Sequence, residues 1–170
     1  IHVESKPGKG TKFTVEIPLE LASEEDICKK ELPEQTFMTD KNIGKRILLA
    51  EDNELNAEIA MELLKEEGFL IDWVKDGQEC FDKLEESDDG YYDLILMDIQ
   101  MPILNGYDTT AKIRQMENPK KASTPIVAMT ANAFEEDIAM AQKVGMNGFI
   151  AKPLDAEKMF TILKQSIVEN

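Results

Sequence analysis

Leu94-Ile95-Leu96-Met97-Asp98 is a run of four apolar residues closed by a carboxylate, and three other stretches end in a similar way. Ile47-Leu48-Leu49-Ala50 runs into Glu51-Asp52, Ile126-Val127-Ala128-Met129 into Thr130, and Phe149-Ile150-Ala151 into Lys152. Short runs that are apolar at successive positions predict strands covered on both faces, and helical stretches between them make the strands parallel. In an open, doubly wound sheet the carboxyl ends of the strands line one crevice, where strand order reverses. The four polar endings are therefore expected to meet, bringing three carboxylates, a hydroxyl and an ammonium into one site.

Carboxylates so close repel one another and raise their own pKa values unless a cation sits among them. Hard oxygen ligands with room for water suit Mg²⁺, which is usually held by one or two carboxylates together with phosphate oxygens. A lysine and a threonine hydroxyl are what a phosphoryl group needs on its other side, one as a point charge and one as a hydrogen-bond donor. The set suits an aspartyl phosphate, with a carboxylate as nucleophile and the metal and Lys152 neutralising the transferring group. On this pattern alone Asp98 and Asp52 both remain open as the nucleophile.

Glu51-Asp52-Asn53, then Met97-Asp98-Ile99-Gln100-Met101-Pro102 with Gly106, then Thr130-Ala131, and Phe149 three residues before Lys152-Pro153 together resemble the receiver domain of two-component response regulators. The resemblance covers about residues 43 to 168, with four separate matches in order. It implies that Asp98 is the phosphorylated residue and that Lys152 and Thr130 act on the phosphoryl group. It also implies that Asp52 and Asp98 bind the metal directly, that Glu51 helps through water, and that the backbone carbonyl of Gln100 is a further ligand. Glutamate at position 51, where many members carry aspartate, bears on the details of metal affinity. Thr130 and Phe149 match the family's switch pair, in which Phe149 would turn inward from a solvent-facing rotamer as Thr130 moves toward the phosphoryl group. The implied donor is a histidine kinase or a histidine phosphotransfer domain.

The chain of 170 residues carries a formal charge of −15 and is 42% hydrophobic, which suits one full domain and a smaller piece. Residues 42 to 170 hold 13 basic against 25 acidic side chains and residues 1 to 41 hold 6 against 9, so neither part is built to bind nucleic acid. Cys28 and Cys80 stand alone, without a CxxC motif or a neighbouring histidine, and are expected as reduced thiols. No run reaches the length of a membrane span and the first residues lack the pattern of a signal peptide. The chain is expected in the cytoplasm, making no membrane contact itself, although a parent protein could be membrane-anchored.

Ahead of the receiver pattern, Phe13, Val15, Ile17 and Leu19 alternate with polar residues as a half-buried strand. Ser5 to Gly10 reads as a turn after a short strand at Ile1 to Val3. A phosphate-loop reading of Gly8-x-Gly10-Thr11 fails, because no helix and no lysine-serine pair follow. The stretch from Ile1 through Ile17-Pro18-Leu19 resembles the last hairpin of the ATP-binding domain of sensor histidine kinases. On that reading the nucleotide-binding boxes lie upstream of Ile1, so this chain neither binds ATP nor phosphorylates a histidine. Two strands are marginal alone, so the apolar face is expected to pack on something else. His2 lacks the flanks of a phosphoacceptor histidine and is expected as a plain strand residue. Residues 21 to 42, charged and broken by Pro33, read as a linker. The expected layout is a kinase remnant at 1–20, the linker at 21–42 and the receiver at 43–170, the order of a hybrid sensor kinase.

Within the receiver, Asn53 is expected to cap a helix whose apolar positions are Leu55, Ile59 and Leu63 and which stops at Gly68. A strand at Leu70 to Val74 and the turn Asp76-Gly77 lead into a helix at about Gln78 to Glu86, with Cys80, Phe81 and Leu84 in the core. Further helices are expected at about Tyr107 to Met116, Phe134 to Val144 and Ala156 to Ile167, with a polar loop up to Pro125 after the first. Right-handed crossovers then give an α/β, flavodoxin-like fold with a five-stranded parallel sheet in order 2-1-3-4-5, preceded by the short hairpin. Met101, Met129, Met140 and Met146 are expected to fill gaps at core edges. No DNA-binding segment follows the last helix, so the output is expected to be a protein contact or a phosphoryl group handed onward.

Three functions fit this arrangement. A phosphoacceptor receiver uses every member of the site. A Mg²⁺-dependent phosphohydrolase is disfavoured because no substrate-binding cap is supplied. A receiver-like module that is never phosphorylated is disfavoured because no site residue is missing.

Overall fold

Residues that alternate along each buried strand point to opposite faces of the sheet, and the core divides accordingly. Ile47 and Leu49 of β3 (Arg46–Ala50) join Leu94 and Leu96 of β5 (Leu94–Asp98) on one face, while Leu48, Ala50, Ile95 and Met97 lie on the other. With β4 (Leu70–Val74), β6 (Ile126–Thr130) and β7 (Gly148–Ala151), these strands form one parallel sheet in the order β4-β3-β5-β6-β7, as expected. The coordinates are a computed structural model that describes residues 1–17, 42, 44–131 and 135–168. Cys28, Phe134 and the linker expected at 21–42, apart from Asn42, lie outside the described residues.

The first face is covered by α1 (Glu54–Glu66) and α6 (Ala156–Val168), and the second by α2 (Gly77–Glu86), α3 (Gly106–Arg114) and α5 (Glu135–Val144). Asn53 caps α1 as expected, its side chain accepting from the backbone N–H groups of Leu55 and Asn56. The buried stripe of this helix is nevertheless Ala57, Ala60 and Leu64, while Leu55 and Ile59 are 64% and 48% exposed. Small alanines let the helix backbone approach the sheet closely, and Met61 and Leu63 pack against the core beside Leu64. Asp76 caps α2 through the N–H groups of Gln78 and Glu79, and Cys80 and Leu84 are buried with Phe81 half-buried, as expected.

The segment read as a polar loop before Pro125 contains a short helix, α4 (Pro119–Ala122), capped by Asn118 with Pro119 in the first turn. Its four residues are too few to show an apolar period, and only the Asn-Pro start signals it. Of the four methionines, Met101, Met129 and Met146 are buried, whereas Met140 is exposed on α5. Burial raises the pKa of the Cys80 thiol, with the charge of Asp76 adding to the effect.

Ile1–Phe37 and Met38–Asn170 are separate units. In the first, β1 (His2–Lys6) and β2 (Gly10–Thr14) pair antiparallel with Val3 opposite Phe13, so both strands are placed somewhat differently from the ranges expected. Residues 15–17 are not in a strand. Val3, Phe13 and Val15 are each at least half exposed.

Gly106 opens α3 directly behind the acidic strand end, and its N–H donates to the Ile99 carbonyl at 2.9 Å. A Cβ there would run into the Asp98 carbonyl and stand 2.9 Å from Ile99 Cα, with backbone on both sides that cannot swing away. Gly106→Ala is expected to destabilise the domain by about 2 kcal/mol, the cost of forced overpacking. A urea midpoint equal to that of the wild type would show that the loop gives way freely.

Candidate functional site

The carboxyl ends of β3, β5, β6 and β7 deliver Glu51 with Asp52, then Asp98, Thr130 and Lys152, to the same edge of the sheet. Lys152 reaches across to hold two of the acids. Its Nζ lies 2.6 Å from Glu51 Oε2 and 2.8 Å from Asp98 Oδ2. Glu51, Asp98 and Thr130 are buried, whereas Asp52 is exposed at the mouth. Thr130 belongs to the last position of β6, and its carbonyl accepts the Lys152 N–H at 2.7 Å, so strand pairing itself sets the lysine beside the acids.

Second partners orient the Glu51 and Asp98 carboxylates. The other oxygen of Glu51 accepts from Asn56 Nδ2 at 2.9 Å, and its backbone carbonyl accepts from the Trp73 indole at 2.8 Å. Asp98 Oδ1 accepts from the Gln100 N–H at 3.2 Å. The Gln100 contact with Asp98 is made by its backbone nitrogen, whereas the expectation concerned its carbonyl as a metal ligand. Asn56 and Trp73 were not anticipated. Asn56 carries a legible signal, being one helical turn inside α1 from its cap on the side of the strand end, whereas the Trp73 contact crosses 22 residues and has none.

Burial pushes the Asp98 pKa upward, and the neighbouring charge of Glu51 adds to this, while the hydrogen bond and charge of Lys152 oppose it without cancelling it. Lys152 is itself raised: burial disfavours its charge, but hydrogen bonds to Asp98 and Glu51 outweigh that loss. A lysine partner alone would have lowered the aspartate. Burial outweighs the lysine at Asp98, while at Lys152 the two carboxylates together outweigh burial.

Glu51, Asp52 and Asp98 each present a carboxylate oxygen within 4.8 Å of the others. Three hard oxygen donors, one at an open mouth, fit a small divalent cation that keeps part of its water. Burial is the main cause of the raised Asp98 pKa, and a cation there would relieve the Glu51 repulsion that adds to it.

Phe149 is half-buried, neither fully in solvent nor in the core. It lines a cavity of about 400 Å³ between α5 and α6 with Ile138, Met146 and Ile162. Among the described residues no helix is long and apolar enough to cross a membrane.

A flavodoxin-like sheet with an acidic cluster and a lysine at its carboxyl edge is an α/β domain whose ligand site lies at the strand ends. Residues 47–164 match the response regulator receiver domain, and the chain belongs to that family. It is a receiver domain of the two-component phosphorelay, homologous to the receivers of hybrid histidine kinases. The autoinducer 2 sensor kinase/phosphatase LuxQ of Vibrio cholerae is 34% identical over 168 residues, covering 96% of this chain but 18% of that kinase. The receiver domain of a sensor histidine kinase from Pseudomonas aeruginosa, solved with magnesium coordinated in its active-site cleft, is 37% identical with a TM-score of 0.66, covering 74% of this chain and 98% of that one. The receiver of the Saccharomyces cerevisiae response regulator Ssk1, solved with the histidine phosphotransfer protein Ypd1, is 27% identical with a TM-score of 0.67, covering 74% and 90% of the two chains.

Proposed function

We propose that Asp98 accepts a phosphoryl group from a phosphohistidine donor in a Mg²⁺-dependent transfer, and that the modified site reshapes a protein-binding surface. The carrying observation is the single ammonium of Lys152 shared between Glu51 and Asp98 at 2.6 and 2.8 Å, which ties a nucleophile and a charge-neutralising group together at a metal-suited cluster. Asp52, Asp98 and the Gln100 carbonyl would hold the metal, with Glu51 acting through water. The metal, when bound, supplies the positive charge that offsets the phosphoryl oxygens. Lys152 orients the Asp98 carboxylate and neutralises the incoming group, and the Thr130 hydroxyl donates a hydrogen bond to a phosphoryl oxygen. A donor of the histidine kinase or histidine phosphotransfer class accords with the yeast receiver solved beside Ypd1. Incubation with acetyl phosphate and Mg²⁺ followed by intact mass tests the reading. A stable adduct is expected, while turnover without an adduct would favour a phosphohydrolase and no reaction a binding module.

Metal binding to the folded site stabilises the protein in proportion to occupancy. Asp52→Asn is expected to lose most of the rise in melting temperature that Mg²⁺ gives the wild type. An undiminished rise would remove Asp52 from the ligand set.

The switch is read through Thr130 and Phe149. Phosphoryl contact draws the Thr130 side chain toward Asp98, and the half-buried ring of Phe149, which borders the cavity beside α5, takes up the vacated space. Phe149→Ala is expected to accept phosphate normally while beryllofluoride-induced amide shifts along α5 shrink. Shifts equal to the wild type would reduce Phe149 to core packing.

Residues 1–20 are read as a remnant of a histidine kinase ATP-binding domain, 21–42 as a linker and 43–170 as the receiver. The LuxQ alignment covers 96% of the chain, beyond the receiver match at 47–164. The parent would then be a hybrid sensor kinase, working in the cytoplasm or anchored at a membrane, and this chain would catalyse only its own phosphorylation and dephosphorylation.

A further inference from the structure

Helix α5 is held by α3 at both ends, and the two attachments differ in strength. At the carboxyl end Arg114, the last residue of α3, donates from Nε to the Gly145 carbonyl at 3.0 Å and from Nη1 to the Ala122 and Thr124 carbonyls at 2.6 and 2.8 Å. Its Nη2 donates to Asn147 Oδ1 at 3.0 Å, and the same oxygen accepts the Ile126 N–H at 2.9 Å. One guanidinium thus joins α4, the entry to β6 and the turn between α5 and β7. Gly145 has a φ of +96°, and a Cβ there would stand 3.2 Å from Arg114 Nε, so the arginine lies where a side chain would crowd it.

At the amino end the Tyr107 hydroxyl donates to the Asp137 carbonyl, in the first turn of α5, at 3.3 Å, beyond the usual range of about 2.5 to 3.0 Å for such a bond. Tyr107 follows Gly106, whose N–H is bound to the Ile99 carbonyl just behind Asp98. Its ring packs against the same core cluster as Phe149, a cluster to which Ala141 of α5 belongs.

We infer that α5 is a lever hinged at its carboxyl end by Arg114 and latched at its amino end by Tyr107, with the latch closed in the unphosphorylated protein. The inference rests on the switch proposed above. Several hydrogen bonds from one planar, charged guanidinium fix a geometry, whereas a single stretched bond from a phenol is readily exchanged for one to water. From Asp137 to Gly145 the helix spans about 12 Å, at about 1.5 Å per residue. A displacement of about 1 to 2 Å at the Asp137 end, the usual size for a packed helix, needs a rotation of roughly 5 to 10° about Gly145 and carries the bond out of reach. The inward turn of Phe149 takes place in the cluster that seats the Tyr107 ring, so the switch acts at the latched end. Tyr107 is then a positioning residue: the latch must open when the site is occupied, and its removal makes occupation easier.

Titration of the whole 170-residue chain with beryllofluoride and Mg²⁺, followed by amide NMR, tests both ends. Tyr107→Phe keeps the ring and loses the hydroxyl, and is expected to tighten beryllofluoride binding about three- to tenfold, the worth of one neutral hydrogen bond. In the unliganded variant, amide exchange should quicken in the amino half of α5 and stay unchanged at Gly145 and Met146. A variant that had merely lost packing would bind beryllofluoride no more tightly, so unchanged or weaker binding would overturn the latch. Arg114→Lys keeps the charge but cannot span four acceptors, and should spread the beryllofluoride-induced shifts to Gly145 and Met146, which move little in the wild type. Wild-type shifts as large at Gly145 as at Asp137 would overturn the hinge, whatever the fate of the lysine variant. A wild type that does not bind beryllofluoride would instead remove the acceptor role of Asp98, and the lever with it.

Discussion

Asp98→Asn is expected to yield no phosphoryl adduct with acetyl phosphate or a phosphohistidine donor, in a protein that remains folded. The amide keeps the shape of the carboxylate and its contact with the Gln100 N–H but has no charge with which to attack phosphorus. Stability is the second half of this result. The folded protein holds the Asp98 pKa above the ordinary 3.8, chiefly through burial, so the ionised form costs stability at neutral pH. That cost is present above the raised folded value and fades as pH falls through it, because the folded state then binds the proton more readily than the unfolded chain. Asp98→Asn should therefore melt no lower than the metal-free wild type at neutral pH, with the difference narrowing in acid. A phosphoryl adduct on the Asn variant would move the nucleophile to another carboxylate, Asp52 first.

Lys152→Met is expected to cost about 3 kcal/mol in metal-free buffer, the lower part of the range for removing one partner from a buried ion pair, because the cleft is open on one side. Glu51 and Asp98 would be left buried and facing each other with no ammonium between them. The loss should be partly repaired by Mg²⁺, and also by Asp98→Asn in the same chain, since each reduces the uncompensated negative charge. Lys152 carries a raised pKa, through Asp98 and Glu51 outweighing burial, so its contribution is complete below its ordinary 10.5 and is lost as pH rises through the higher folded value. The wild type should consequently show an alkaline fall in stability that Lys152→Met lacks. Urea midpoints in the presence of a chelator test this, and a midpoint matching the wild type would mean that the bridge adds nothing to the fold.

The strand-end site residues were legible because each closes or directly follows a buried strand. A run such as Ile126-Val127-Ala128-Met129 is apolar on both faces, so its first polar residue marks the edge of the sheet, and the parallel topology puts all such edges together. The supporting contacts were less legible. Lys152 and Glu51 are separated by 101 residues, and nothing in either neighbourhood says that the lysine will bridge to Glu51 as well as to Asp98.

Local sequence determined the strands, the caps at Asn53 and Asp76 and the polar residue at each strand end, because these depend on neighbours within a few positions. Tertiary structure decided which side of α1 is buried. Leu55 and Ile59 advertised a face that is exposed, whereas Leu63 packs against the core beside Ala57, Ala60 and Leu64, since close backbone approach and the packing of Leu64 outweigh the size of any single apolar group. That choice also leaves Ile59 beside Lys152, where the apolar wall of a small cavity is assembled from residues that are distant in the chain and adjacent only in the fold.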